Sequence, residues 1–201
     1  GVLTEETTED MQKMAAMEAN TEPYLKTSVW KHARHRIVWL LVLMLSASIT
    51  GAIISKYEAA FAAVPLLVSF IPMLMDTGGN CGSQSSTLII RGLAVDELHF
   101  ADAAKVIWKE LRVALLVGLG LGIVNAGSIM LRYNDPRLAV VVSLSLLCTV
   151  MCAKVTGGLL PIAAKRLGLD PALMAAPLIT TVVDIVSMFI YFTVATMLFG
   201  M

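Results

Sequence analysis

The sequence predicts an all-α, polytopic membrane protein with five transmembrane helices, preceded by an amphipathic connecting helix on the cytoplasmic side. Three observations lead there. First, the 201 residues are 57% hydrophobic and 15% charged, with a mean hydropathy of +0.78; an ordinary soluble domain carries about 25% charged residues. There is too little polar surface to coat a water-soluble globule, which excludes a soluble enzyme, a nucleic-acid binder and a disordered chain. Second, nearly uncharged stretches long enough to cross the hydrocarbon core recur along the chain. Third, the basic residues gather on alternate connections. Net charge is zero, so no overall field advertises an anionic partner. Cys81, Cys148 and Cys152 are an odd set without zinc spacing, which signals neither a disulfide framework nor a metal knuckle.

Two segments are expected, residues 1–22 and 23–201. In the first, Glu5, Glu6, Glu9 and Asp10 precede Met11, Met14, Ala15 and Glu18, an acidic first turn followed by helical spacing. A secretory signal would open with basic residues, so a helix beneath the membrane, ending near Pro23, is expected; a solvated tail is the alternative. Residues 37–55 and 113–131 hold no charge, while 59–90 hold only Asp76, 138–164 only Lys154 and 171–201 only Asp184. Backbone polar groups must be satisfied within lipid, so each of these stretches is expected to be helical. None shows the alternation of a membrane barrel strand. Lys26, Lys31, Arg34, Arg36, Arg91, Lys105, Lys109, Arg112, Lys165 and Arg166 fall on one side and Lys56, Arg132 and Arg137 on the other. That bias places the N-terminus in the cytoplasm and the C-terminus outside the plasma membrane.

Ionisable groups within a span are costly, and their default reading is functional. Asp76, Lys154 and Asp184 are the candidates. On a helix Thr180 and Thr181 share a face with Asp184, and Pro177 removes a backbone donor, so carboxylate, hydroxyls and free carbonyls line one side. These are hard oxygen ligands suited to Mg²⁺ or Ca²⁺ or to their bound waters; a structural Asp184–Lys154 bridge is the alternative. The second span, interrupted by Pro65 and Pro72, continues as Asp76-Thr77-Gly78-Gly79-Asn80-Cys81-Gly82-Ser83-Gln84. For Gly78, Gly79 and Gly82, close helix packing and pore lining remain open together, while Asn80 and Gln84, four apart, favour a wet surface. Gly118, Gly120 and Gly122 read as packing residues, His32 and His35 as interfacial, and Cys148 and Cys152 as small packing residues. Asp76-Thr77-Gly78 also spells the short motif of aspartic proteases, but without its β-loop setting.

The stretch Pro72-Met73-Leu74-Met75-Asp76-Thr77-Gly78-Gly79-Asn80-Cys81-Gly82-Ser83-Gln84, followed by Ile90-Arg91-Gly92-Leu93, resembles the second-span signature of MgtE-family magnesium channels. Glu22-Pro23-Tyr24-Leu25 resembles that family's membrane approach, and Pro177-Leu178-Ile179-Thr180-Thr181-Val182-Val183-Asp184 its last span. The resemblance implies a homodimer of five-span subunits, with a pore between subunits lined by the second and fifth spans. It implies that residues 1–22 are the connecting, or plug, helix and 23–201 the pore domain. Asp184 matches the pore carboxylate that holds Mg²⁺ through its waters, together with the Thr180 carbonyl. Asp76, Gly78, Gly79, Asn80, Gln84, Thr181 and Pro177 are the implied pore lining. Asp10 and Asp170 match positions where cations bridge the connecting helix to the loop before the last span.

Two departures stand out. The family usually carries a cytoplasmic N-domain and a paired CBS module, which the residues ahead of the first span cannot hold, so the transmembrane part alone is expected. Ala176 stands where relatives often have Asn, which removes a polar contact at the cytoplasmic mouth. The expected function is Mg²⁺ conduction into the cytoplasm, with Mn²⁺ or other divalent cations as possible companions and no catalysis. The rival is a proton- or sodium-coupled divalent cation transporter; an intramembrane protease would need both Asp76 and Asp184 for cleavage.

Overall fold

The computed structural model describes residues 2–20 and 22–200; Gly1, Thr21 and Met201, and the side chains of residues 2–6 with the expected acidic pair Glu5 and Glu6, lie outside the described residues. Every regular element among the described residues is helical: α1 (Val2–Met14), α2 (Val29–Lys56), α3 (Glu58–Ala63), α4 (Ile71–Ala94), α5 (Ala103–Tyr133), α6 (Pro136–Arg166) and α7 (Ala176–Phe199), with short 3₁₀ turns at Pro65–Phe70, Phe100–Asp102 and Pro171–Met174. Four of them, α2, α5 with its leading turn, α6 and α7, are long and apolar enough to cross a membrane. The second expected span divides instead. Pro65 opens a 3₁₀ turn and Pro72 falls in the first turn of α4, where its missing N–H would have no helical partner anyway. From there Asp76 to Ser86 runs as regular α-helix.

Local chemistry sets the ends. Ser28 caps α2, its Oγ accepting from the Lys31 N–H at 3.3 Å. Asn134 leaves α5 in the left-handed conformation (φ 51°), Asp135 accepts from the Leu138 N–H at 3.0 Å, and Pro136 begins α6. Three residues thus fold α5 back on α6. Helix α1 stops at Met14 rather than near Pro23, because Ala16 turns left-handed (φ 53°). A reciprocal clasp holds that reversal: Gln12 Nε2 donates to the Asn20 carbonyl at 2.9 Å, and the Asn20 N–H to Gln12 Oε1 at 2.6 Å.

The core sits where α4, α6 and α7 meet, with Leu74, Val142, Val150, Ile179, Val183 and Met188 buried. Tyr191 anchors the turn before α4, its hydroxyl donating to the Leu67 carbonyl at 2.8 Å. Phe192 stacks on Tyr57 at 4.7 Å and meets Phe61 edge-on at 4.9 Å. Helix α5 packs on α6: a methyl added at Gly118 would lie 2.6 Å from Leu147, and one at Gly122 would lie 3.6 Å from the Ser143 carbonyl. Gly120 faces open space, so packing does not account for it. Cys152 is exposed, which likewise overturns the packing reading for that residue. Helix α2 is peripheral, touching mainly α7 and burying Thr50 alone.

Candidate functional site

Glycines bring three helices together here. A Cβ on Gly157 of α6 would stand 2.2 Å from the Gly82 carbonyl oxygen of α4, so these two backbones are in direct contact. A Cβ on Gly79 would meet Thr180 at 2.9 Å; one on Gly78 would meet Val183 at 2.9 Å and Ser187 at 3.0 Å; one on Gly82 would meet Ile179 at 2.6 Å. Both Gly78 and Gly79 are buried in the α4–α7 contact. The opposite side of α4 is different. Asp76, Asn80, Gln84 and Thr87 are exposed along one stripe, and Asn80, Ser83, Gln84, Thr87 and Leu88 line a shallow groove of about 680 Å³.

On α7, Pro177 occupies the first turn rather than the middle of the helix, so its missing N–H breaks no internal ladder. The hydroxyls of Thr180 and Thr181 both donate to the Pro177 carbonyl at 3.0 Å, which leaves their oxygens free to accept. One turn further on, Asp184 is half-buried and makes no hydrogen bond or ion pair among the described residues. Lys154 is 4% exposed and forms no bridge with Asp184, so the structural-bridge alternative does not hold within the chain. No three His, Cys, Asp or Glu side chains gather as a metal cage among the described residues.

A second acidic site lies where α1 meets the turn before α7. Asp10 and Asp170 line one cleft of about 210 Å³ with Lys165. Asp170 Oδ1 accepts the Ala172 N–H at 2.9 Å, capping the turn. Its Oδ2 receives the Lys13 ammonium at 2.8 Å, which also reaches Glu9 Oε1 at 2.7 Å. Burial alone would push the Asp170 carboxyl up, but the Lys13 ammonium and the Ala172 N–H together hold it below the usual carboxylate range. The two carboxylates, Asp170 first and then Glu9, hold Lys13 charged well beyond its ordinary range.

The sequence model of the MgtE family, described as a divalent cation transporter, matches residues 71–194. Three curated relatives, each named magnesium transporter MgtE, align with nearly the whole chain: 39% identity to the protein of Thermus thermophilus, 34% to that of Bacillus subtilis and 31% to that of Enterococcus faecalis. The chain belongs to the MgtE family. The alignments cover 98%, 97% and 98% of it but 44%, 43% and 43% of the relatives, so it spans less than half of their length. The MgtE-family match begins at the first residue of α4 and ends within α7, enclosing both Asp76 and Asp184.

Sequence reasoning missed one residue in the surroundings of this candidate site. Glu110, assigned to a basic connection, lies inside α5, is 9% exposed, and accepts a hydrogen bond from Ser85 of α4 at 2.5 Å. A signal was present. Val106, Glu110, Ala114, Gly118 and Gly122 recur every fourth residue and form the buried stripe of α5.

Proposed function

We propose that this chain conducts Mg²⁺ across the plasma membrane into the cytoplasm, recognising the hydrated ion in a homodimer. The observation that carries the reading is the half-buried, unpartnered Asp184 carboxylate on α7, packed beside a helix with an exposed polar stripe. Lipid does not tolerate such a stripe, and water or a second copy of the same stripe does. Helix α4, 24 residues and about 36 Å long, then serves as the second of five spans despite its polarity, with the N-terminus in the cytoplasm and the C-terminus outside. Asp76, Asn80, Gln84 and Thr181 line the path, and Pro177 stands at its inner end, its carbonyl accepting from the Thr180 and Thr181 hydroxyls. Gly78 and Gly79 let α7 lie close enough to α4 for Thr180 and Asp184 to reach it.

The physics favours water-mediated binding. Mg²⁺ sheds its waters reluctantly and keeps several when bound. One carboxylate half-neutralises the ion, and a two-fold axis supplies a second Asp184 at the same depth. Contacts through water, with the Thr180 carbonyl assisting, bind strongly enough to attract and weakly enough to release. Asp10 and Asp170 form the cytoplasmic regulatory site, where intracellular Mg²⁺ draws α1 onto the turn before α7. Flux from liposomes, measured with Mg²⁺, Mn²⁺, Co²⁺ and Ca²⁺ in turn, tests the reading. Mg²⁺ flux indifferent to pH and Na⁺ gradients supports a channel, and flux that follows either gradient supports the coupled transporter instead.

A further inference from the structure

The Ser85 hydroxyl and the Glu110 carboxylate are joined across a gap that helix packing leaves open. Helices α4 and α5 meet through a small side-chain cluster of Ile89, Leu93 and Val106, while α5 packs mainly on α6, and α4 on α6 and α7. Their hydrogen bond, at 2.5 Å, is the one polar link between the two helices among the described residues. Both partners are buried, at 1% and 9% exposure. Beside them lies a cavity of about 220 Å³, lined in part by Ile89, Leu98, Val106 and Glu110. Glu110 forms no ion pair among the described residues, and a Cβ added at Gly158 of α6 would come within 3.3 Å of its Cγ. The side chain is therefore held between α6 and α4, charged or polar, in a place that an apolar residue would fill at lower cost.

We propose that Glu110 is a positioning residue for transport: through Ser85 it holds the α5 side of α4 in its rotation, and hence where the neighbouring Gln84 and Asn80 face. The inference rests on the reading that the α4 stripe lines the ion path. On its other side α4 is tied by Ser86, whose hydroxyl donates to the Met174 carbonyl in the turn before α7, so the Ser85–Glu110 bond is its polar tie toward α5. Toward α6 and α7, Gly78, Gly79 and Gly82 form notches that Val183, Thr180 and Ile179 fill, beside the buried Leu74 and Cys81. Toward α5, Ile89 and Leu93 share a small apolar cluster with Val106, with the cavity beside it. Dispersion contacts are not directional, whereas a hydrogen bond to a carboxylate is short and directional. Ser85 follows Gln84 by one residue, so a turn of α4 that moves one moves the other.

The test compares Ser85→Ala, Glu110→Leu, Glu110→Gln and the Ser85→Ala/Glu110→Leu pair, reading Mg²⁺ flux, melting temperature and maleimide reactivity of single cysteines placed at residues 80, 84 and 87 in a background where Cys81, Cys148 and Cys152 are alanine. Glu110→Gln keeps an acceptor and should retain flux and reactivity pattern. Ser85→Ala and Glu110→Leu should each raise half-saturating Mg²⁺ about threefold to tenfold and shift the reactivity pattern around the helix. The pair should do no more than either alone. If flux falls only in step with melting temperature and the reactivity pattern stays fixed, the contact is mere packing and the proposal is overturned. Loss of flux in Glu110→Gln with Ser85→Ala unaffected also overturns it, because the charge and not the hydrogen bond would then matter. Should Glu110→Leu fail to fold, Ser85→Ala and Glu110→Gln decide between these outcomes. Absence of reactivity at 80, 84 and 87 in the parent protein would instead remove the pore reading itself.

Discussion

The Lys13 ammonium stands 2.8 Å from Asp170 Oδ2, fastening α1 to the turn from which α7 rises. The same carboxylate is the one proposed to take a cytoplasmic cation. Lys13 is thus a tethered monovalent cation at that place, and an incoming divalent ion must displace it.

Replacing Lys13 with Gln should loosen α1. The pair is partly exposed, which limits its worth to about 1 kcal/mol, or about fivefold in the docked population. Both shifts set the pH window. Asp170 titrates below its ordinary value when folded, so its contribution is present above that value and fades as pH falls through the folded one. Lys13 is shifted upward, so its contribution is full below its ordinary value and fades only as pH rises past the folded one. Docking should therefore hold at neutral pH and loosen below about pH 4. Spin labels at Met11 and Leu169, both exposed, would report the distance; an unchanged distribution in Lys13→Gln would refute the tether.

Replacing Asp184 with Asn keeps shape and removes charge. At an effective dielectric of about 20, opposite unit charges about 5 Å apart attract by about 3 kcal/mol, so Mg²⁺ binding should weaken about a hundredfold. An inert trivalent hexammine complex should block the parent protein and fail against the variant. Liposome flux with wild-type rate and selectivity in Asp184→Asn would place the ion path elsewhere.

Thr180→Ala should cost far less. Its hydroxyl serves the Pro177 carbonyl, and the backbone carbonyl proposed to face the ion remains. Flux within about threefold of the parent is expected, the scale of one modest hydrogen bond. A loss as large as that of Asp184→Asn would make the hydroxyl itself the ligand.

Gly157→Ala should lower stability, because the new methyl would stand 2.2 Å from the Gly82 carbonyl oxygen. Overpacking of this kind costs about 1–3 kcal/mol. Gly127, inside α5 with nothing near it, is the control: Gly127→Ala should be neutral or stabilising by about 0.5–1 kcal/mol. Equal melting temperatures for the two variants would argue against tight α4–α6 contact.

Hydropathy alone located α2, α5, α6 and α7, because a span must be apolar along its whole length. Polar residues every fourth position marked the exposed stripe of α4 for the same reason. The end of α1 was hidden, since it depends on Gln12 clasping Asn20 across a turn that no periodicity announces. Glu110 was hidden by its company: Lys105, Lys109 and Arg112 made the segment read as a basic connection, although every fourth residue already traced a helix face. Pro177 read as a break within a helix and stands at its start, a distinction that turns on where the preceding 3₁₀ turn ends. The two readings left open for Gly78 and Gly79 needed their neighbours on α7, which lie about a hundred residues away in the chain.

Helix α2 buries a single residue, yet it is strongly apolar and has Lys26, Lys31, Arg34 and Arg36 at one end against Lys56 at the other. Membrane proteins assemble in two stages, insertion by hydropathy and then association by packing. For α2 the first stage is everything and the second almost nothing. A helix held so little by packing depends on its hydropathy and flanking charges for its placement. Substitutions along α2 should accordingly surface as inverted or mixed topologies rather than as lowered melting temperatures.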